Sequence, residues 1–234
     1  MSDDQSWMDV GVYGCEQVQT PSFDRLASEG ALFTNVFATA PGCAPSRASI
    51  LTGRFPWELE EAGTHFSNFP RKLQVYPDVL EANGYEVGFT GKGWGPGNYE
   101  ITGWEHNPAG PEFNDILWDS VPFTGIHEID CASNFREFLK TRDQEKPFAM
   151  WIGSREPHGP REIGSGIREG KNPDDAVIAG FIPDTPETRR DMLDYYIEIE
   201  FFDSQLGIIL ADLEESGEME NTLILVTGDN GMPF

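Results

Sequence analysis

The chain has 234 residues, 38% apolar and 12% aromatic, with 40 acidic against 16 basic side chains and a formal net charge of −24. That length and composition suit one sizeable packed domain and exclude a disordered chain. The charge excludes nucleic acid as a partner, because phosphate binding needs clustered Lys and Arg, and no stretch is apolar for long enough to span a membrane.

In chain order the predicted elements alternate. Thr20-Pro21 opens a short helix through Phe23, Leu26 and Ala27, closed by Gly30. Residues 31–39 read as a strand, and 44–51 as a helix stopped near Gly53. A helix over 77–83 ends at Gly84 and feeds an apolar strand over 85–90. A helix over 131–140 precedes a strand over 147–152. The longest helix runs over 186–216, where Met192, Tyr196, Ile199, Phe202, Leu206, Ile209 and Leu213 recur at three or four residues and define a core stripe. Residues 221–227 form a near-continuous apolar run, expected of a strand covered on both faces. Strands separated by helices predict an α/β fold with a mostly parallel central sheet between helices. Segments 94–121 and 159–183, rich in Gly and Pro, read as long loops.

Three of these strands release polar residues at their carboxyl ends: Lys92, then Arg155 and His158, then Asp229-Asn230. That edge is where open α/β sheets bind ligands. Asp3-Asp4 and Asp229-Asn230 offer oxygen donors, the set suited to Ca²⁺ or Mg²⁺; each pair taken singly is also a common turn sequence. Cys15, Cys43 and Cys131 are odd in number and widely spaced, so neither a disulfide framework nor a zinc knuckle is read. Pro45 suits a first helical turn, which sets Cys43 at a helix N-terminus where free amides and the dipole favour an anion. Arg47, one turn on, is placed to donate to oxyanions.

Cys43-Ala44-Pro45-Ser46-Arg47, continuing to Leu51-Thr52-Gly53-Arg54, resembles the signature of the type I sulfatases of the alkaline phosphatase superfamily. Thr20 to Ala27 and Asp191 to Gly217 resemble that family's early and long helices, and Gly91–Gly97 with Asp229 to Phe234 look closest to heparan N-sulfatase (sulfamidase)-like members. The resemblance implies that Cys43 is oxidised by a formylglycine-generating enzyme to formylglycine. In that implied chemistry a hydrate oxygen attacks sulfur and releases the alcohol or amine, and the remaining hydroxyl then expels sulfate as the aldehyde re-forms. The resemblance further implies catalytic roles for Arg47, Lys92 and His158, and a divalent cation, Ca²⁺ by family habit with Mg²⁺ as the alternative, held by Asp3, Asp4, modified Cys43, Asp229 and Asn230. The family pattern Gly-Lys-x-His has Trp94 at its His position here, and stacking of Trp94 on a sugar ring is one reading of that change.

The implied activity is hydrolysis of a sulfuric ester or sulfamate, with sulfated glycans as substrates and a periplasmic or extracellular parent enzyme. Residues 1–234 are then expected to be an incomplete N-terminal catalytic domain, lacking the first strand before Asp3 and the C-terminal subdomain, and unstable or aggregation-prone alone. No signal peptide is read ahead of Ser2, which leaves location open. Two other readings stand: a phosphoesterase of the same superfamily, and an inactive anion- or metal-binding relative. A Ser or Thr nucleophile with additional metal-binding residues would mark the first, and a persistently unmodified Cys43 the second.

Overall fold

The computed structural model describes residues 1–232; Pro233 and Phe234, the end of one motif string, lie outside the described residues. Among the described residues six α-helices are formed: α1 (Pro21–Glu29), α2 (Cys43–Thr52), α3 (Tyr76–Ala82), α4 (Cys131–Thr141), α5 (Ser165–Arg168) and α6 (Pro186–Ser216). The strands are β1 (Ser67–Asn68), β2 (Glu86–Gly91), β3 (Gly97–Asn98) and β4 (Phe148–Gly153).

Local chemistry explains the boundaries of α6. Thr185 caps its first turn by accepting a hydrogen bond from the Thr188 N–H, Pro186 occupies its start, and Gly217 closes it at φ 77°. The seven stripe residues are all buried. At about 1.5–3 kcal/mol for each large apolar side chain removed from water, this stripe is a main source of the fold's stability. Near its C-terminal end, Ile209 and Leu213 pack with Phe135, Phe138 and Leu139 of α4. A second core lies around α2, where Ala44, Ala48 and Leu51 meet Phe69, Trp94, Trp104 and Trp151.

The sheet is parallel, as its alternating pattern predicts. β2 and β4 pair in register from Glu86 opposite Phe148 to Gly91 opposite Gly153. Beyond β2, Phe89 forms a parallel bridge with Glu112. Beyond β4, Met1 donates its amino group to Ile152 O (2.8 Å) and accepts from Ser154 N (2.9 Å). Ser2 in turn donates to Thr227 O (3.1 Å) and forms a parallel bridge with Gly228. Consequently Lys92, the Ser154–His158 turn, Asp3-Asp4 and Asp229-Asn230 all emerge at one carboxyl edge.

Two expectations are corrected. Residues 31–39 form no strand; Phe33, Val36 and Phe37 are largely exposed and no ladder forms to this segment among the described residues. Strand propensity reflects packing against a neighbour, and none lies alongside. Residues 221–227 form no regular strand among the described residues: Asn221 ends a 3-10 turn, Gly228 makes only an isolated bridge with Ser2, and exposure alternates along the segment. Ile224 packs against the α4–α6 cluster, whereas Leu223 is 85% and Leu225 78% exposed. One face is covered, not two. Within the expected loops, β3 and α5 add only short regular pieces.

Candidate active site

The site is assembled around the start of α2. Gly42 precedes the helix in extended conformation and offers no side-chain cap, so the first-turn amides have no competing side chain. Most of α2 is buried, including Cys43 (5% exposed) and Arg47 (0%). Ser46 anchors the turn by donating its hydroxyl to the Asp229 carbonyl.

Arg47 joins four segments. Its Nε donates to Asp229 Oδ2 (2.9 Å) and its Nη2 to Asp3 Oδ1 (3.3 Å). Its Nη1 donates to the carbonyls of Lys92 (2.6 Å) and Gly93 (3.1 Å). The planar fork of the guanidinium suits this arrangement, and a lysine could not reproduce it. Lys92 Nζ lies 2.5 Å from Asp3 Oδ2. The guanidinium thus holds the acidic residues and the Lys92 turn in place, and each of its three nitrogens has a protein partner.

Asp4 has a left-handed backbone, φ 62°. That conformation costs a non-glycine residue on the order of 1–3 kcal/mol and persists only where surroundings over-determine it. Here the Asp4 N–H donates to Asp229 Oδ1 (3.0 Å), and the Asp4 carbonyl accepts from the Tyr195 hydroxyl (2.9 Å). The strain turns the Asp4 carboxylate toward Cys43, whose Sγ lies 3.8 Å from Asp4 Oδ1. Asn230 Nδ2 donates to the same oxygen (2.8 Å), and His158 Nε2 stands 3.6 Å from Asp4 Oδ2.

Carboxylate oxygens of Asp3, Asp4 and Asp229 lie within 4.8 Å of one another, as do donor atoms of Asp3, Cys43 and His158. Asn230 Oδ1 is buried without a hydrogen-bond partner among the described residues, which is where a hard cation would find a further oxygen. The donor set therefore fits Ca²⁺ or Mg²⁺. Burial, followed by the charge of Asp3, pushes the Cys43 thiol up to about 12, so the unmodified side chain is a protonated thiol at neutral pH. Burial lifts Asp229 above the usual carboxylate range, Arg47 opposing and Asp3 adding to the rise. Burial acts in the same sense on Asp3, but Arg47, the hydrogen bond shared with Asp229, and Lys92 together hold it low.

The sequence-predicted residues Asp3, Asp4, Cys43, Arg47, Lys92, His158, Asp229 and Asn230 therefore converge on one place. Trp94 does not join them. It is 3% exposed, donates Nε1–H to Ala44 O (3.0 Å) and packs edge-on to Phe69. The sugar-stacking reading is corrected: this ring supports the back of α2. Two contributors were missed in the sequence. Glu156 accepts from the His127 N–H (2.9 Å) and from the Ser154 hydroxyl, and its carbonyl accepts from Asp3 N (3.1 Å), tying the His158 turn to the acidic pair. Tyr195 holds the Asp4 backbone; its signal was a phenol beside the helix stripe, since a buried hydroxyl needs a partner.

Similarity to known proteins extends over the whole chain. The sequence model of the family described as Sulfatase matches residues 1–234. Human N-sulphoglucosamine sulphohydrolase is 30% identical over 99% of this chain and 49% of its own length. The solved structure of yidJ from Bacteroides fragilis superposes with a TM-score of 0.77 at 22% identity, over 99% of this chain and 61% of that one. A phosphonate monoester hydrolase of Agrobacterium radiobacter gives 0.72 at 17%, over 97% and 61%. The fold is the mixed α/β fold of the alkaline phosphatase-like proteins. The chain belongs to the sulfatase family. It spans about half the length of the curated relatives it matches, 49% and 44% of the first two. Among the described residues, no helix is long and apolar enough to cross a membrane.

Proposed function

We propose that residues 1–234 are the N-terminal part of the catalytic domain of a sulfatase, which hydrolyses a sulfuric ester or sulfamate on a sulfated glycan. The observation that carries this reading is the position of Cys43: first residue of α2, with Asp4 3.8 Å from its sulfur and Lys92 bound to neighbouring Asp3. The relative named for N-sulphoglucosamine hydrolysis supports the substrate class.

In this reading a formylglycine made from Cys43 supplies an oxygen nucleophile toward sulfur when hydrated. Asp3, Asp4, Asp229 and Asn230, with residue 43, hold Ca²⁺, or Mg²⁺ in its place, and the cation supplies charge neutralisation for the sulfate oxygens. The protein's own groups do the rest. The N-terminus of α2 orients the anion through its backbone amides and dipole. Lys92 adds a cation beside Asp3, and His158, half-exposed next to Asp4, is the proton donor to the departing oxygen or nitrogen. Arg47 is a positioning residue, because its donors are engaged with Asp3, Asp229 and two carbonyls. The parent enzyme acts in the periplasm or outside the cell, where sulfated glycans are met, after a formylglycine-generating enzyme has modified Cys43.

The phosphonate monoester hydrolase has the same fold, so a phosphorus ester is the second reading. The direct test is the mass of the Cys43 peptide from protein co-expressed with a formylglycine-generating enzyme. The expected change is a loss of about 18 Da, the thiol-to-aldehyde conversion. A persistent thiol would remove the nucleophile and leave an anion-binding relative. With the aldehyde present, turnover of an aryl phosphate diester but not of an aryl sulfate would favour the second reading.

A further inference from the structure

Of the chain's four histidines, three have a ring nitrogen committed within the protein. His106 Nδ1 meets the Asn107 carbonyl, His127 Nδ1 accepts from Ile129 N, and His158 Nδ1 meets the Gly159 carbonyl while its ring faces Asp4. His65 is exposed, and neither of its ring nitrogens is hydrogen-bonded among the described residues. Yet it does not lie on an arbitrary stretch of surface. A Cβ placed on Gly42, the residue that opens α2 and precedes Cys43, would stand 3.6 Å from His65 Nδ1. The same point lies 3.7 Å from Pro45 Cγ, so the imidazole sits over the first turn of the helix.

The loop that carries His65 is fixed. Phe66 has a left-handed φ of 54°, its N–H donates to Pro96 O (3.2 Å), and its ring meets the imidazole edge-on at 4.7 Å. The next residues form β1, paired in parallel with β3. This ladder requires glycine at 97, where a Cβ would fall 2.3 Å from Trp94 Cη2 and 2.5 Å from Ser67 O. The segment leaving Lys92 is therefore tied to the segment bearing His65, and both meet the start of α2.

We propose that His65 is a substrate-contacting residue of this site, donating an N–H to an oxyanion of the group bound at the start of α2; the proposal rests on the sulfatase reading above. The amides of α2, Lys92 and His65 then supply donors to one anion in a chain whose overall charge would otherwise repel it. No side chain at Gly42 separates the imidazole from the first turn, and the ring breaks no internal hydrogen bond when it binds.

The test follows the histidine ring and α2 amide resonances by NMR in the full chain, uniformly ¹³C,¹⁵N-labelled and held in Ca²⁺-containing buffer, as inorganic sulfate is added. The His65 resonances are expected to move saturably. His65→Ala is expected to weaken sulfate binding by about ten- to a hundredfold, the range for losing one hydrogen bond to a charged group. His65→Gln, which keeps a side-chain N–H, is expected to lose less. Movement of the His158 resonances with His65 stationary would overturn the proposal and leave the sulfatase reading standing. Sulfate that moves neither ring nor any α2 amide would count against both.

Discussion

Two groups of acidic side chains are buried within a few residues of each other, and the fold treats them differently. Asp3 and Asp229 are matched: Arg47 contacts both, Lys92 contacts Asp3, and Asp4 is met by Asn230 and His158. Glu198, on α6, is 2% exposed, and neither carboxylate oxygen has a hydrogen-bond partner among the described residues. Glu156 accepts its own two hydrogen bonds and gives Glu198 only its negative charge. A buried carboxylate is retained as an anion where fixed cations and donors meet it. Without them it is cheaper for the side chain to take up a proton. The first cluster is thus held by matched cations and donors, and the second is a neutral one.

The largest effect should come from unmatching the first cluster. Arg47→Met keeps the buried volume but leaves Asp3 and Asp229 without the guanidinium. Removing one partner of a buried ion pair costs about 3–5 kcal/mol, and a urea midpoint should fall accordingly. Ca²⁺ should restore part of that loss by replacing the missing positive charge, visible as a larger thermal shift on adding Ca²⁺ to the variant than to the parent. An unchanged urea midpoint in Arg47→Met would mean that the acidic residues do not depend on the clasp.

The second cluster gives a pH signature. Burial first, and the charge of Glu156 second, push Glu198 up to about 8, with Arg161 opposing and Asp194 and Asp191 adding to the rise. The unfolded chain releases that proton near its ordinary value of 4.5. Between these values the folded chain holds a proton that the unfolded chain has lost. Stability therefore falls as pH rises through this window, by about 1.4 kcal/mol per unit, and levels above it. Glu198→Gln removes this slope, so its advantage over the parent should grow from pH 5 to pH 8. Equal slopes in the two proteins would show that Glu198 is ionised when folded.

The sequence made the helices and the paired strands readable because their causes are local. Thr185, Pro186 and Gly217 mark α6, and the apolar period gives its buried face. The meeting of the site residues was readable because Cys43, Lys92, His158 and the acidic pairs sit at strand ends or a helix start. Residues 31–39 and 221–227 were less readable, because a ladder or a covered face depends on distant chain that local composition does not encode. The same limit applies to direction. Nothing local showed that each Arg47 nitrogen would be engaged by the protein, or that His65 would come to lie beside Gly42.

Trp94 presents that question of direction in its sharpest form, and it sets the smallest predicted effect. Its indole N–H is bonded to the carbonyl of Ala44, the residue after Cys43, and its ring lies 5.0 Å from that of Phe69. Trp94→Phe keeps the apolar contact but removes the indole's hydrogen bond to the Ala44 carbonyl. The expected cost is about 1–2 kcal/mol, one hydrogen bond and a small void, read in the urea midpoint. A ring that stacked on a sugar from solvent would give the opposite pair of results: unchanged stability and weaker glycan binding. The buried position requires the first outcome, with glycan affinity changing only as far as the start of α2 shifts when its rear support is shortened.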